Sequence, residues 1–470
     1  MSLLKAKSPR IREKRLDTLN AWLGRADEAI AEFSGEDTVQ RIRTFSQSTQ
    51  DDLLYALRLL AGIRNSVVVI HAPRGCAAAA LYHRVSSGTG RWIVSNLDQR
   101  DTIMGADRKL RKAVVGAFRQ YSPEVIFIIA SPVAAINNDD IQAVVEELHE
   151  ELELPIVPVY VTGFASRNAV TGYDIALHAI LKHLAGPRGE HQRTAGVNLL
   201  SVVENGRDRL EAERLLLRLG VELNTLPDQA SAASFRLATQ ARLSLSLDQD
   251  SENYLGLILR DEYGVPYVEQ PRPIGIGATG RWLLEAGRAL GIEDAARELH
   301  EQESGLLRRE LGDFSLQGVR VYIALSVATA FALSDLVAEF GGQVAGITVG
   351  HLDQLHKARL KELVLQHPSL QLHVADGQPF EELNIVRRLA PDLYIGDVAH
   401  ISQVGRLGIP VVSLENTPVL GYNGVAGLAR SVSLALKNRS FAAALAKTPT
   451  PYTEAWYRRS PNWHIKKEVR

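Results

Sequence analysis

Short apolar runs, each followed by an amphipathic stretch, set the rhythm of most of this chain. Ser66–Ile70, Val125–Ala130 and Pro155–Val161 are near-continuous blocks of β-branched and aliphatic residues, the pattern of strands buried on both faces. Asp107–Tyr121, Ile141–Leu152 and Thr171–Leu184 space their apolar residues three and four apart and predict helices. The run Asn137-Asn138-Asp139-Asp140 supplies the cap of the second one. Strand and helix in alternation mean a parallel sheet covered on both faces. Ligands of such sheets collect at the carboxyl ends of the strands. Cys76, Ser131-Pro132 and Thr162-Gly163-Phe164 all fall there.

The alternation recurs twice. Val197–Val203, Ala241–Leu247 and Pro266–Val268 read as strands among the helices Asp208–Leu219, Glu252–Tyr263 and Thr279–Leu290. After the charged helix Glu293–Leu311, further strands are expected at Val319–Leu325, Val344–Val349, Leu370–Val374, Leu393–Ile395 and Val411–Leu414. At the N-terminus Leu16, Leu19, Trp22, Leu23, Ile30 and Phe33 recur at helical spacing. The expected fold is α/β: three Rossmann-like, doubly wound parallel-sheet domains with an N-terminal helical extension. Its boundaries would be 1–45 for the extension, 46–190 for an α/β domain carrying Cys76, 191–312 and 313–440 for two more, and 441–470 for a C-terminal tail.

Composition narrows the function. Fifty-three basic against 54 acidic residues leave a net charge of −1, which argues against a nucleic-acid surface. No apolar run is long enough to span a bilayer. The start, MSLLKAKSPRIREKRL, is basic but lacks the apolar core of a secretory signal. The expectation is a soluble cytoplasmic protein with no membrane and no nucleic-acid partner. One cysteine among 470 residues excludes an internal disulfide and any all-cysteine metal site built by one chain.

That cysteine ends the turn His71-Ala72-Pro73-Arg74-Gly75-Cys76, between a buried strand and an Ala-rich helix start. A lone cysteine is most often a small buried apolar residue. At a helix N-terminus, however, the dipole and the orphan amides favour the thiolate, the form that binds metal. The other candidates read more plainly. His71 is expected as a satisfied buried histidine, and Ser95, Asp98 and Ser131 as helix caps. His351, His356 and His373 show no ligand spacing shared with cysteine or carboxylates. Gly275-Ile276-Gly277 and Gly341-Gly342 do not make a dinucleotide fingerprint, and no phosphate loop is present.

Seven short motifs, His71–Cys76, Asp98–Gly105, Ser131–Ile141, Thr171–Asp174, Pro391–Gly396, Gly408–Pro410 and Gly421–Gly424, taken together and in order, resemble the nitrogenase component 1 superfamily. His71–Cys76 is similar to that family's His-Gly-x-x-Gly-Cys turn, with Ala72 for a glycine. Asp98–Gly105 and Ser131–Ile141 resemble its acidic segments, and Thr171-Gly172-Tyr173-Asp174 its Thr-Gly-[Tyr/Trp]-Asp helix start. Pro391–Gly396, Gly408-Ile409-Pro410 and Gly421-Tyr422-Asn423-Gly424 resemble C-terminal landmarks. The basic N-terminus and the Val-Thr-Gly-Tyr-Asp run point to the β-type subunits. That likeness implies a P-cluster-like or [4Fe-4S] cluster shared at a subunit interface, with Cys76 as metal ligand. The nitrogenase β subunit supplies three cysteines; here the second turn, around Trp92–Ser95, has none, and Pro132 stands near the third. By the same alignment Ser95, Asp98 and Ser131 are the nearest oxygen donors, and Arg74 lies where it could tune cluster charge. The resemblance further implies a homologous α-type partner in an α2β2 heterotetramer, holding the active-site iron–sulfur cofactor, and a transient ATP-dependent iron-protein. Within the class, the reading leans to reductive C–S cleavage of small methylthio compounds, as in the methylthio-alkane reductases. The rival is the β-like half of a cofactor-assembly scaffold; a third option is a redox-inactive partner in which Cys76 is merely buried.

Overall fold

The computed structural model describes residues 3–6, 18–33, 38–46, 50–82, 90–164, 166, 168–187, 195–202, 206–415 and 417–468. They form two compact units, Met1–Arg15 with Gln50–Val202 and Val221–Glu269, and Leu16–Thr49 with Val203–Gly220 and Gln270–Arg470.

The first unit contains two four-stranded parallel sheets. One runs in the order Trp92–Val94, Ser66–His71, Val125–Ala130, Ile156–Val159. Every residue of its two central strands is buried, as continuous apolar runs require. Alternation of side chains across a strand divides them between two cores. Val68, Ile70, Phe127 and Ile129 pack with Leu57, Leu60, Leu177 and Ile180 of the helices Asp52–Ala61 and Thr171–Leu184. Val67, Val69, Ile126 and Ile128 pack with Leu110, Val114, Val144 and Leu148 of Asp107–Tyr121 and Ile141–Leu152. Those last two helices and Thr171–Leu184 have the bounds that periodicity predicts. The helix Thr171–Leu184 lies so close to its neighbour that a Cβ on Gly172 would stand 1.9 Å from the Asp52 carbonyl oxygen. The second sheet has the order Tyr267–Val268, Ala241–Ser246, Ala195–Ser201, Leu223–Pro227.

The second unit is built on a six-stranded sheet, ordered Trp22–Arg25, Gln371–Val374, Gln343–Val349, Arg320–Ala324, Leu393–Gly396, Val411–Ser413. All its pairs are parallel except the first. Three α/β sheets, parallel apart from that one edge pair, are thus present where parallel sheets were expected. The N-terminal extension needs correction in part. Ile30 and Phe33 lie in a helix, Ala26–Phe33, but Trp22 and Leu23 belong to a strand paired antiparallel with Gln371–Val374, and Leu19 makes an isolated bridge to Leu352. Leu16 lies outside the described residues. Here tertiary pairing overrides a helical pattern. The C-terminal tail returns to the same region: Ile465–Lys467 pairs antiparallel with Arg41–Arg43.

A buried carboxylate holds these ends. Glu381 Oε1 accepts from His464 Nε2 at 2.6 Å and from Arg43 Nε at 2.7 Å, and Oε2 from His373 Nε2 at 2.7 Å. Burial pushes the Glu381 carboxyl up, but these hydrogen bonds and charges outweigh it and hold it at about 2. No helix of the described residues is long and apolar enough to cross a membrane.

Candidate functional site at the carboxyl rim of the first sheet

From Ser66–His71 the chain passes to the edge strand Trp92–Val94, then crosses to Val125–Ala130 on the other side of its starting strand. The order therefore reverses between Ser66–His71 and Val125–Ala130, and such a switch point leaves a crevice at the carboxyl ends. Cys76 stands at that rim, in the first turn of the helix Arg74–Tyr82, and is exposed. In this chain the thiol is therefore not a buried core residue. Its amide donates to the Pro73 carbonyl at 3.1 Å. Arg74 and Gly75 beside it are exposed as well.

The turn is fixed from below by backbone and side chain. Pro73 bridges to Leu97, the Leu97 amide donates to the Ala72 carbonyl at 3.0 Å, and the Ser131 amide to the His71 carbonyl at 3.0 Å. The buried Ser95 hydroxyl accepts from the Ala72 amide at 3.1 Å and lies 3.0 Å from His71 Nδ1. His71 Nε2 lies 3.1 Å from Asp139 Oδ2. With Nε2–H donated to the carboxylate, Nδ1 takes the proton of Ser95. Burial holds the His71 imidazole below its ordinary range against the pull of Asp139, and raises the Asp139 carboxyl against the pull of His71. His71 is thus the satisfied buried histidine that the sequence suggests.

The oxygen candidates separate. Asp98 caps Gln99–Met104, accepting from the Arg100 and Asp101 amides at 2.9 and 3.0 Å. Ser131 caps Pro132–Asn137, and Asp140 caps Ile141–Leu152. Ser95 caps no helix, contrary to expectation; its hydroxyl ties the His71 turn to the neighbouring strand end. What sequence reasoning missed is the link from Asp139 through His71 to Ser95, whose spacing follows no local period.

Around this rim sit large apolar side chains that water would normally expel from view. Ile103 is 80% exposed, Met104 75%, Ile136 71% and Phe164 58%. Asn137 Nδ2 donates to the Thr102 carbonyl at 2.9 Å, which ties the two short helices carrying the first three. Gly163, next to Phe164, has φ +76° and stands so near Pro132 that a Cβ would come within 2.9 Å of its ring.

The remaining motifs have structural roles. In Gly421–Gly424, the Asn423 side chain donates to Glu211 Oε2 at 2.8 Å and Tyr422 Oη lies 2.6 Å from His300 Nδ1. His373 is a core polar group bonded to Thr348 and Glu381. His351 and His356 are another matter: with Asp353 they converge, each offering a donor atom within 4.8 Å of the others. The expectation that they share no arrangement with a carboxylate is corrected; the signal was His-x-Asp-x-x-His directly after a strand.

The fold and the rim can now be set beside known proteins. Residues 52–437 match the family model described as nitrogenase component 1 type oxidoreductase. The chain belongs to that family. It is 25% identical over 458 residues to the nitrogenase iron-molybdenum cofactor biosynthesis protein NifE of Methanococcus maripaludis, covering 92% of this chain and 93% of that protein. It is also 25% identical to the nitrogenase molybdenum-iron protein alpha chain of Methanothermobacter marburgensis, over 81% of this chain and 85% of that one. The solved structure of nitrogenase Cp1 at pH 5 superposes with a TM-score of 0.75 at 18% identity, over 93% of this chain and 96% of that one, which establishes the fold.

Proposed function

We propose that this chain is the β-type subunit of a nitrogenase-like reductase complex, in which Cys76 donates one thiolate to an iron–sulfur cluster shared with a homologous α-type subunit. The observation that carries this reading is the placement of the single cysteine: exposed, in the first turn of a helix, at the switch-point rim of a parallel sheet. A cubane needs four thiolates. The chain has one, so the donor set fits a shared cluster and does not fit a resident one. Bound there, the cluster supplies one-electron transfer. The chain's own part is to present the thiolate. Ser95 and Asp139 hold His71 and the Ala72 amide, and the turn stands on that support. The exposed Ile103, Met104, Ile136 and Phe164 give a partner an apolar face beside the thiol. The α2β2 state, the partner's active-site iron–sulfur cofactor and the ATP-dependent iron-protein belong to the same proposal. So does reductive C–S cleavage of small methylthio compounds, which rests on the family resemblance and on the departure from the nitrogenase cysteine set.

A second reading is favoured by one finding, the similarity over nearly the full length to a protein named for cofactor biosynthesis. In it this chain is half of an assembly scaffold. The relatives named above include an alpha chain and no β chain; the β-type assignment stands on the resemblance of the basic N-terminus and the Val-Thr-Gly-Tyr-Asp run to the β-type subunits. Anaerobic co-purification with the homologous partner separates the two readings. A complex that reduces a methylthio substrate with an iron-protein and ATP is a reductase. One that turns nothing over but donates its cluster to an apoprotein is a scaffold.

A further inference from the structure

The second sheet of the first unit has a switch point of its own. From Ala195–Ser201 the chain passes to Leu223–Pro227 on one side and then to Ala241–Ser246 on the other. The order therefore reverses between Ala195–Ser201 and Ala241–Ser246, and the carboxyl ends of such a strand pair are where ligands collect. Here one side chain of the chain itself takes that place. Glu252, in the first turn of the helix Gln249–Tyr263, is 1% exposed. Its Oε1 accepts from the Val202 amide at 2.8 Å, one residue past the first strand. Its Oε2 accepts from the Ser246 hydroxyl at 2.8 Å and from the Leu247 and Asp248 amides at 2.9 and 3.1 Å, at the end of the other.

Backbone amides and a hydroxyl that converge in this way form an oxyanion nest, and because every contact is a donor the seat suits a carboxylate. The helix does not need Glu252 as its cap. Asp248 already serves, its Oδ1 accepting from the Asp250 and Ser251 amides at 2.9 and 3.3 Å. Glu252 instead spans the ends of two strands. A buried charge in such a place is costly. Burial and the neighbouring Asp248 carboxylate push the Glu252 carboxyl up to about 8, while the donors Val202, Ser246 and Asp248 pull it down. An apolar side chain would fill the space without that cost but would leave the converging donors unmet.

We propose that the crevice at this second switch point is a carboxylate-binding site whose resident ligand is Glu252, an internal anion that closes it to exchangeable carboxylates. The seat shares no residue with the Cys76 turn, and the inference does not depend on the function proposed above. Removing the Glu252 side chain beyond Cβ vacates the seat for a free monocarboxylate of formate size, smaller than the atoms removed.

The test is thermal unfolding of the full chain with sodium formate, against sodium chloride at equal ionic strength. Glu252→Ala should melt below wild type, and formate should raise its midpoint saturably, as a ligand of the folded state does. Wild type and Glu252→Gln, in which the seat stays filled, should respond to formate no more than to chloride. Adding Ser246→Ala to Glu252→Ala removes one donor to the anion and should weaken the formate effect about tenfold in apparent affinity. The proposal is overturned if formate and chloride act alike on Glu252→Ala, if wild type responds as strongly as the variant, or if the double variant keeps the full affinity. Should Glu252→Ala not fold in chloride, its folded yield on refolding is read instead: a gain specific to formate supports the site, and no gain refutes it.

Discussion

His71 Nε2 lies 3.1 Å from Asp139 Oδ2, with the imidazole fully buried five residues before the exposed Cys76. This pair is support rather than reagent. His71→Ala strands a buried carboxylate and the Ser95 hydroxyl and opens a cavity, at a cost of about 2–4 kcal/mol. Urea unfolding should show that loss, whereas Cys76→Ala, an exposed change, should shift the midpoint very little.

Glu381 gives the protein an acid-sensitive lock. Its carboxyl is held at about 2 against an ordinary 4.5. A carboxyl depressed by folding adds stability that is complete above the unfolded value. That contribution fades as pH falls from about 4.5 toward about 2. The linkage amounts to on the order of 3 kcal/mol. Glu381→Gln should therefore destabilise the chain most at neutral pH, and the gap from wild type should narrow below pH 4.5. A gap that widens on acidification would contradict the assignment. His464→Ala should reproduce part of the loss, since it removes a donor to the same carboxylate.

Gly172→Ala tests the close helix contact in the first unit. A methyl placed 1.9 Å from the Asp52 carbonyl oxygen forces the helices Asp52–Ala61 and Thr171–Leu184 apart, costing about 1–3 kcal/mol or more. A thermal melt that does not move would mean that the helices separate freely.

The long helices were legible from their apolar period, and only Ile141–Leu152 among them has a capping side chain as well, Asp140. Asp107–Tyr121, Ile141–Leu152, Thr171–Leu184 and Glu293–Leu311 follow the sequence to the residue. What escaped depends on partners far along the chain. Trp22–Arg25 reads as part of a helix and becomes a strand because Gln371–Val374 offers it an edge. Ile465–Lys467 has no local signal and is a strand through Arg41–Arg43. At the site, the caps Asp98, Ser131 and Asp140 were readable from turn chemistry. The grouping of Ser95, His71 and Asp139, and that of His351, Asp353 and His356, follows from where strands and turns end.

The apolar rim predicts a partner surface. Ile136→Glu, on a side chain 71% exposed, should leave the isolated chain as stable as wild type, within about 0.5 kcal/mol. It should weaken co-purification with the homologous subunit. Undiminished capture of that subunit would place the interface elsewhere.

The most direct test of the whole account is iron content in the anaerobically co-purified complex, wild type against Cys76→Ala, with electron paramagnetic resonance on both. A shared cluster predicts that the variant still folds and loses the cluster signal together with its share of iron. Iron and spectrum unchanged by Cys76→Ala would contradict it.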